Sequence, residues 1–258
     1  MLRGIAISLS CCVLAATSAS ADLTFNDPDR ILLLSADTPT NSVFLSRLDV
    51  TGFGPINESR EDFGFAGPNF IAGFLDQRSE VPASLDGSEN SPLLFQGSAS
   101  MSASIANQDP VSGIATSLLD LSFTLSATTD LQLTWALSAD GPTIEGPTSA
   151  AASIALDQVD GSGTTTILSA IAYEGDNTDG SGVLTLDAGE YRIRIGASAV
   201  LYQGASVING GFFTLPAEIT NSAAYTVTLA VVPAPATLLP LAGLVVVGGR
   251  RRRHRPCA

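Results

Sequence analysis

The segment VLTLDAGEYRIRIGASAVL, residues 183–201, carries the clearest secondary-structure pattern in the chain. In its second half Tyr191, Ile193 and Ile195 alternate with two arginines. A period of two places the apolar side chains on one face of a β-strand and the charged side chains on the other. Turn-forming residues at 187–190 precede this strand, so the segment predicts a β-hairpin.

The same period of two occurs on both sides of this segment. Strands are predicted at 31–34, 43–50, 98–105, 121–125, 131–137, 151–156, 164–172 and 225–231. In 98–105 four serines alternate with apolar residues, which predicts a strand with one small polar face. Residues 121–125 and 131–137 are separated by a short turn, and we expect them to form a second hairpin.

The segments between the predicted strands contain turn signals rather than helical patterns. Asp-Gly-Ser-Gly occurs twice, at 160–163 and at 179–182, and both copies are predicted to be turns. No amphipathic helical pattern of ten or more residues separates the strands. The sequence therefore predicts an all-β fold, an antiparallel β-sandwich of jelly-roll-like type.

Phenylalanine is concentrated in the first third of the chain. Seven of the eleven phenylalanines lie between Phe25 and Phe74. Two explanations are open: an aromatic platform for sugars, or a hydrophobic core. We predict a core, because Phe lacks the polar group that lets Tyr or Trp lie at a wet surface.

The last twenty-eight residues, 231–258, differ in composition from everything before them. A short Pro-Ala-Thr element leads into the apolar run 238–247, and an arginine cluster at 250–255 follows at once. A helix over the nineteen residues 231–249 would extend about 28 Å, barely enough for the ~30 Å hydrocarbon core of a bilayer. We predict a short or kinked transmembrane helix at about 235–249, with the basic end in the cytoplasm.

This tail resembles the PEP-CTERM protein-sorting signal of Gram-negative bacteria. The residues that carry the resemblance are Val232, Pro233, Ala234, Pro235, Ala236 and Thr237, followed by the apolar run and by Arg250, Arg251, Arg252 and Arg253. Ala234 stands where the family usually has Glu. The resemblance implies recognition by an exosortase, a membrane transpeptidase, with cleavage near the Pro-Ala-Pro element. Release or anchoring at the cell surface would follow.

The amino terminus predicts export across the inner membrane. Arg3 precedes the apolar run 4–16, and Ala19 and Ala21 form a small-x-small cleavage site for signal peptidase. Asp22 is then the first residue of the mature chain. The predicted division is a signal peptide at 1–21, a secreted β-sandwich domain at 22–230 and a sorting tail at 231–258.

The composition of the predicted secreted domain excludes many catalytic mechanisms. All three cysteines and the single histidine lie outside it, and the chain contains no lysine. Ser-His-Asp and Cys-His catalysis, lysine Schiff bases, disulfides and His/Cys metal sites are therefore excluded. The domain carries all twenty-five acidic residues and six arginines, a formal charge of −19, which repels nucleic acid and anionic lipid.

Two loops concentrate oxygen ligands of the kind that Ca²⁺ prefers. The candidates are Glu174, Asp176, Asn177 and Asp179 in one loop, and Asp157 and Asp160 in the other. Neither loop matches the EF-hand pattern. Asp and Asn next to Gly are primarily turn residues, so a turn is the favoured explanation of both loops.

Two hypotheses for the function follow. The first is a secreted, non-catalytic protein of the cell surface or extracellular matrix, associated with exopolysaccharide and without a cofactor. The alternative is a glycan-acting hydrolase that uses paired carboxylates, but no motif selects two of the many acidic residues. The ligand, the oligomeric state, calcium binding and the number of β subdomains stay open.

Overall fold

The structure is a computed structural model that describes residues 22–38, 41–85, 91–104, 111–141, 149–203 and 218–232. The predicted signal peptide and the predicted tail beyond Val232 lie outside the described residues. Within the described part of the chain, no helix has the length and apolar character needed to cross a membrane.

The described residues form two antiparallel β-sheets. The strands are β1 (Leu23–Asp37), β2 (Ser42–Thr51), β3 (Gly54–Ala66), β4 (Asn69–Val81), β5 (Ser84–Leu85), β6 (Leu93–Ser104), β7 (Val111–Leu125), β8 (Thr129–Asp140), β9 (Ser149–Asp160), β10 (Gly163–Tyr173), β11 (Asn177–Leu186), β12 (Gly189–Gln203) and β13 (Glu218–Val232). The first sheet has the order β10-β9-β12-β7-β1-β2, with β5 paired to β1. The second sheet has the order β11-β8-β13-β6-β4-β3.

The two sheets pack face to face around one hydrophobic core. Along β7 the side chains of Leu119, Leu121 and Phe123 are buried, and along β6 those of Ala99 and Met101 are buried. These residues from both sheets belong to one continuous cluster of buried apolar side chains. The predicted β-sandwich is therefore confirmed, and its alternating strands bury one face each.

The prediction for 183–201 is wrong about which strands pair but correct about which side chains of the second strand are buried. Strand β11 pairs with β8 in the second sheet, whereas β12 pairs with β7 and β9 in the first. The turn between them crosses from one sheet to the other, and the Tyr191 hydroxyl donates a hydrogen bond of 2.9 Å to the Asp187 carbonyl. Tyr191, Ile193 and Ile195 are buried as predicted. The alternation of apolar and polar residues determines which side chains of a strand are buried. The same side chains are buried whether two consecutive strands form a hairpin in one sheet or lie in opposite sheets.

The second predicted hairpin is wrong for the same reason. Residues 121–125 belong to β7 in the first sheet, and residues 131–137 belong to β8 in the second. The apolar side chains of both strands still point into the core.

The two Asp-Gly-Ser-Gly copies have different structures. The copy at 160–163 is the predicted turn, and it joins the paired strands β9 and β10. The Asp160 carboxylate accepts hydrogen bonds from the backbone N–H groups of Ser162 at 2.7 Å and Gly163 at 3.0 Å. The copy at 179–182 is not a turn but part of β11. There Gly180 lies opposite Trp135, whose ring occupies the space that a side chain would need.

The prediction that the phenylalanines form a core is wrong for four of the seven. Phe25 and Phe44 are buried, and Phe70 is half-buried. The exposed side chains are Phe53, Phe63, Phe65 and Phe74. Three of these belong to β3 and β4, where they occupy outward positions of the second sheet, because the inward positions of β4 are taken by residues such as Ile71 and Leu75.

Candidate functional site

The outward face of the second sheet carries rows of small hydroxyl side chains on β6, β13 and β8. Strand pairing places Ser100 opposite Ser222 and Ser102 opposite Thr220, so the rows lie side by side about 4.8 Å apart. We call this array the hydroxyl field. Its members are Ser98, Ser100, Ser102, Ser104, Thr134, Ser138, Thr220, Ser222, Thr226 and Thr228.

The hydroxyl field is uncharged on an acidic protein. In the sequences of its three strands as described, the charged residues are those at the strand ends, Asp130, Asp140 and Glu218. The whole chain has a formal net charge of −13. A surface of this kind favours a neutral, hydroxyl-bearing partner over a charged one, because Ser and Thr hydroxyls both donate and accept hydrogen bonds.

Four aromatic side chains adjoin the hydroxyl field at one corner of the sheet. We call Phe63, Phe65, Phe70 and Phe74 the phenylalanine corner. The ring centroids of Phe65 and Phe70 are 5.4 Å apart, and those of Phe63 and Phe70 are 6.1 Å apart. Strand pairing places Phe70 opposite Ser104 and Phe74 opposite Ser100, so the corner and the field form one continuous surface.

The outward direction of the corner is determined by the packing behind it. Gly64 lies between Phe63 and Phe65, and a Cβ atom on Gly64 would lie 2.3 Å from Cγ1 of Val43 in the first sheet. The inward position therefore has no room for a side chain. A shift of the β3 register by one residue would turn Phe63 and Phe65 inward, where there is no room for them. The two rings therefore point to the surface.

The first sheet has a group of charged and polar side chains on its outward face that are paired with one another. Arg194 Nη2 lies 2.7 Å from Asp157 Oδ2, Thr166 Oγ1 donates to Asp157 Oδ1 at 2.7 Å, and Arg192 pairs with Asp120. Hydrogen bonding to Asp120 raises the pKa of Arg192, against the opposing effect of burial. These charged groups neutralise one another and stabilise the junction of β7, β12, β9 and β10.

The predicted calcium ligands of the loop at 174–179 are not brought together as one set. Asn177 and Asp179 line a shallow depression of about 260 Å³ between β8, β11 and β13, beside Ala136 and Ala224. Glu174 instead directs Oε1 toward Gly141. Within the described residues, no cluster of three or more His, Cys, Asp or Glu side chains is arranged to hold a metal ion.

The other predicted calcium pair is occupied by protein partners. Asp157 is buried and bonded to Arg194 and Thr166, while Asp160 caps its own turn. Hydrogen bonds from Ser162 lower the pKa of Asp160. The turn explanation is confirmed for Asp160 and is wrong for Asp157, which lies within β9 and is held by partners from neighbouring strands.

Comparison of the chain with protein-family models and with curated proteins finds no match in either case. The chemistry of the second sheet is therefore the basis on which a function is proposed below. Its two parts, the phenylalanine corner and the hydroxyl field, differ in how well the sequence predicts them.

The polar face predicted at 98–105 is the β6 row of the hydroxyl field, whereas the sequence analysis did not predict that this row continues onto β13 and β8 or that the phenylalanine corner is exposed. The alternation in β3 carries no signal for the corner, because both of its faces are polar. Asn57, Ser59 and Glu61 share a face with the two phenylalanines, and three charged residues lie on the face of the buried Ile56. The direction of the rings therefore depends on the packing of Gly64 against Val43, which the sequence does not show.

Proposed function

We propose that this protein is a secreted, non-catalytic β-sandwich with jelly-roll-like connectivity that binds neutral exopolysaccharide at the cell surface or in the extracellular matrix. The observation that carries this proposal is the continuous surface formed by the phenylalanine corner and the hydroxyl field. Exposed aromatic clusters on soluble proteins typically mark interaction sites, because they have an unfavourable free energy in water.

The two parts of this surface match the two chemical aspects of a sugar ring. The C–H faces of a pyranose ring are apolar and pack on aromatic rings such as those of Phe65 and Phe70. The hydroxyl groups at the rim of the sugar exchange hydrogen bonds with Ser and Thr side chains, which act as donors and as acceptors. Ser100 and Phe74 lie on neighbouring strands, so one sugar chain can contact both kinds of side chain.

The charge of the protein surface and the length of the serine row on β6 favour an extended neutral polymer as the ligand. The acidic surface repels anionic polysaccharides, and the three strands of the hydroxyl field carry no cation to hold a uronic acid or a sulfate. Arg78 on the neighbouring β4 is paired with Asp76 at 3.2 Å. The row from Ser98 to Ser104 alone extends about 20 Å, at about 3.3 Å per strand residue. This length accommodates several consecutive sugars rather than a single one.

The sorting elements support a location outside the cell. The signal peptide at 1–21 sends the chain across the inner membrane, and the PEP-CTERM-like tail at 231–258 holds it there for an exosortase. The tail segment then acts as a transient or permanent single-span anchor, with the domain at 22–230 facing outward. A surface that binds exopolysaccharide meets its ligand outside the cell.

Retention on insoluble neutral polysaccharide tests the proposal. Purified full-length protein is passed over microcrystalline cellulose and cross-linked dextran, with alginate beads as the anionic comparison. Phe65→Ala should weaken retention on a neutral matrix about fivefold, the equivalent of ~1 kcal/mol for one aromatic contact. Leu45→Ala is the matched control, because Leu45 is 69% exposed on the first sheet and Phe65 is 70% exposed on the second.

Three outcomes would contradict the proposal. Equal losses for Phe65→Ala and Leu45→Ala would remove the phenylalanine corner from the site. Stronger retention on alginate than on both neutral matrices would reverse the charge argument. Release of new reducing ends during incubation would favour the alternative, a glycan-acting hydrolase with paired carboxylates.

A further inference from the structure

The turn between β10 and β11 is held against the end of β8 by backbone hydrogen bonds. The Ala139 N–H donates to the Asp176 carbonyl at 3.1 Å, and the Gly175 N–H donates to the Ala139 carbonyl at 2.9 Å. Within the turn, the Asp176 N–H donates to the Tyr173 carbonyl at 2.8 Å. Glu174 lies at the tip of this turn, so its backbone is held in place.

Asn221 on β13 is a fully buried amide next to that tip, with an exposed fraction of 0%. Its Nδ2 donates a hydrogen bond of 2.6 Å to the Val200 carbonyl. A carbonyl only accepts hydrogen bonds, so this contact determines which end of the amide is the nitrogen. The other end, Oδ1, is therefore an acceptor that faces away from Val200.

Asn221 Oδ1 and Glu174 Oε1 point into the same small space. A Cβ atom built on Gly141 would lie 2.6 Å from Asn221 Oδ1 and 3.0 Å from Glu174 Oε1. Both oxygens are buried, and neither has a hydrogen-bond partner within the structure described. Two acceptors that share a space without a donor repel each other, and burial without a partner is unfavourable for each.

We propose that Glu174 and Asn221 bind a Ca²⁺ ion in this space. A carboxylate and an amide oxygen are both ligands that Ca²⁺ prefers, and Ca²⁺ accepts irregular geometry where Mg²⁺ requires a near-ideal octahedron. Gly141 leaves the space open because it has no side chain. Water completes the coordination of a site with so few protein ligands, and we expect a Kd of about 0.1–1 mM, typical of extracellular calcium modules.

This site differs from the calcium loop predicted from the sequence and shares only Glu174 with it. The ion would connect the β10–β11 turn to β13, which belongs to the interior of the second sheet. Calcium would therefore stabilise this end of the sandwich without contributing to the hydroxyl field. The proposal is independent of the polysaccharide function.

Thermal unfolding of the purified full-length protein tests the proposal. Wild-type protein is compared in EDTA, in 10 mM Ca²⁺ and in 10 mM Mg²⁺. With Ca²⁺ at ten or more times its Kd, the Tm should rise by about 4 °C, and Mg²⁺ should have a clearly smaller effect.

Two variants and one control locate the site. Glu174→Gln should fold in EDTA, because its amide donates to Asn221 Oδ1, and should lose the Ca²⁺ response. Asn221→Asp loses the donor to the Val200 carbonyl and should be less stable than wild type in EDTA, but its second carboxylate should make the rise in Tm with Ca²⁺ larger than that of wild type. Asp179→Asn changes an exposed carboxylate of the predicted loop and should keep the wild-type response.

Either of two results would overturn the proposal. A wild-type Tm that does not respond to Ca²⁺ would remove the ion from this space. Loss of the response in Asp179→Asn but not in Glu174→Gln would place the ion in the predicted loop.

Discussion

Asp157 is a buried carboxylate that its neighbours keep ionised. Burial on its own favours the neutral form, but hydrogen bonds from Thr166 and Arg194 and the positive charges of Arg194 and Arg192 outweigh it, so the pKa is lowered. A carboxyl group whose pKa is lower in the folded state stabilises the fold above the unfolded value of about 3.9. That contribution is lost as the pH falls through the folded-state pKa.

Asp157→Asn should therefore destabilise the protein in a pH-dependent way. We expect a loss of about 2 kcal/mol in the free energy of unfolding at pH 7, the typical value of a hydrogen bond to a charged group. The difference from wild type should shrink as the pH falls below about 3.9 and through the lowered folded-state pKa, where the wild-type carboxyl group also becomes protonated. Urea unfolding curves at a series of pH values from 7 downward measure this.

Asp49→Asn is the control for Asp157→Asn. Asp49 forms an exposed ion pair with Arg47 at 2.9 Å, and exposed pairs contribute about 0–1 kcal/mol. If the loss of stability in Asp157→Asn stays the same size across the whole pH series, the shape of the side chain rather than its charge is responsible.

Position 97 is occupied by glycine because the ring of Tyr225 fills the space that a side chain would need. A Cβ atom on Gly97 would lie 2.5 Å from Cζ of Tyr225. Tyr225 is buried, and its hydroxyl accepts a hydrogen bond of 3.2 Å from Gln77 Nε2, so the ring has little freedom to move. Burial also raises the pKa of this hydroxyl, which therefore stays protonated as a hydrogen-bonding group.

Gly97→Ala should destabilise the protein by about 1–3 kcal/mol, because an extra methyl group overpacks the core. Gly161→Ala should change stability by less than about 0.5 kcal/mol, since a Cβ atom at Gly161 meets nothing within 4 Å. Chemical denaturation of the two variants measures the difference. Similar free energies for both would show that Tyr225 adjusts to the methyl group.

At the scale of elements, the connection from β2 to β3 is held by Arg30 of β1. Arg30 Nη1 donates to the Gly54 carbonyl at 3.0 Å, and Nη2 donates to the Gly52 carbonyl. Gly52 and Gly54 have φ of 98° and 105°, values that side chains rarely adopt. Burial lowers the pKa of Arg30. The guanidinium thus stabilises a crossing between the sheets that only glycine can form easily.

Arg30→Met should destabilise this crossing by about 3 kcal/mol, because two half-buried carbonyl groups lose their charged donor. Arg30→Lys should restore only part of the loss, since one ammonium group lacks the planar fork of donors. Hydrogen exchange should show faster opening of the amides of β2 and β3 than of β7. Arg47→Met is the control, and an equal effect from it would contradict a specific role for Arg30.

At the scale of the whole molecule, the predicted sorting tail determines where the mature chain should end. If the Pro-Ala-Pro element acts like its Glu-containing relatives, the mature protein begins at Asp22 and ends between residues 233 and 237. A barely sufficient span that contains Pro240 is a poor permanent anchor but an adequate temporary stop. Exosortase cleavage should therefore remove the apolar run and its arginines.

Peptide mass mapping of the protein from its native host measures both ends. Recovery of a carboxyl-terminal peptide that still contains Cys257, in a host with an exosortase, would contradict processing. The protein would then be a single-span membrane protein.

The sequence by itself determined the strands that have a clear two-residue alternation, and the buried face of those strands, but it did not predict β3 or β4. The alternation in β6, β7, β8 and β12 predicted their buried residues correctly, because side-chain direction in a strand follows directly from its two-residue period. The turn at 160–163 was also predictable, since Asp160 forms its hydrogen bonds within its own turn. These features depend on contacts within a few residues.

Only the tertiary structure decided which strands pair with one another and which side-chain oxygens from distant segments, such as those of Glu174 and Asn221, come close together. β11 and β12 bury the same faces whether they pair with each other or cross between the sheets, so their pattern does not distinguish the two arrangements. Glu174 was a sequence candidate, but Asn221 comes next to it only when β13 takes its place in the second sheet. Sheet membership is determined by contacts between distant segments, and the local period carries no information about them.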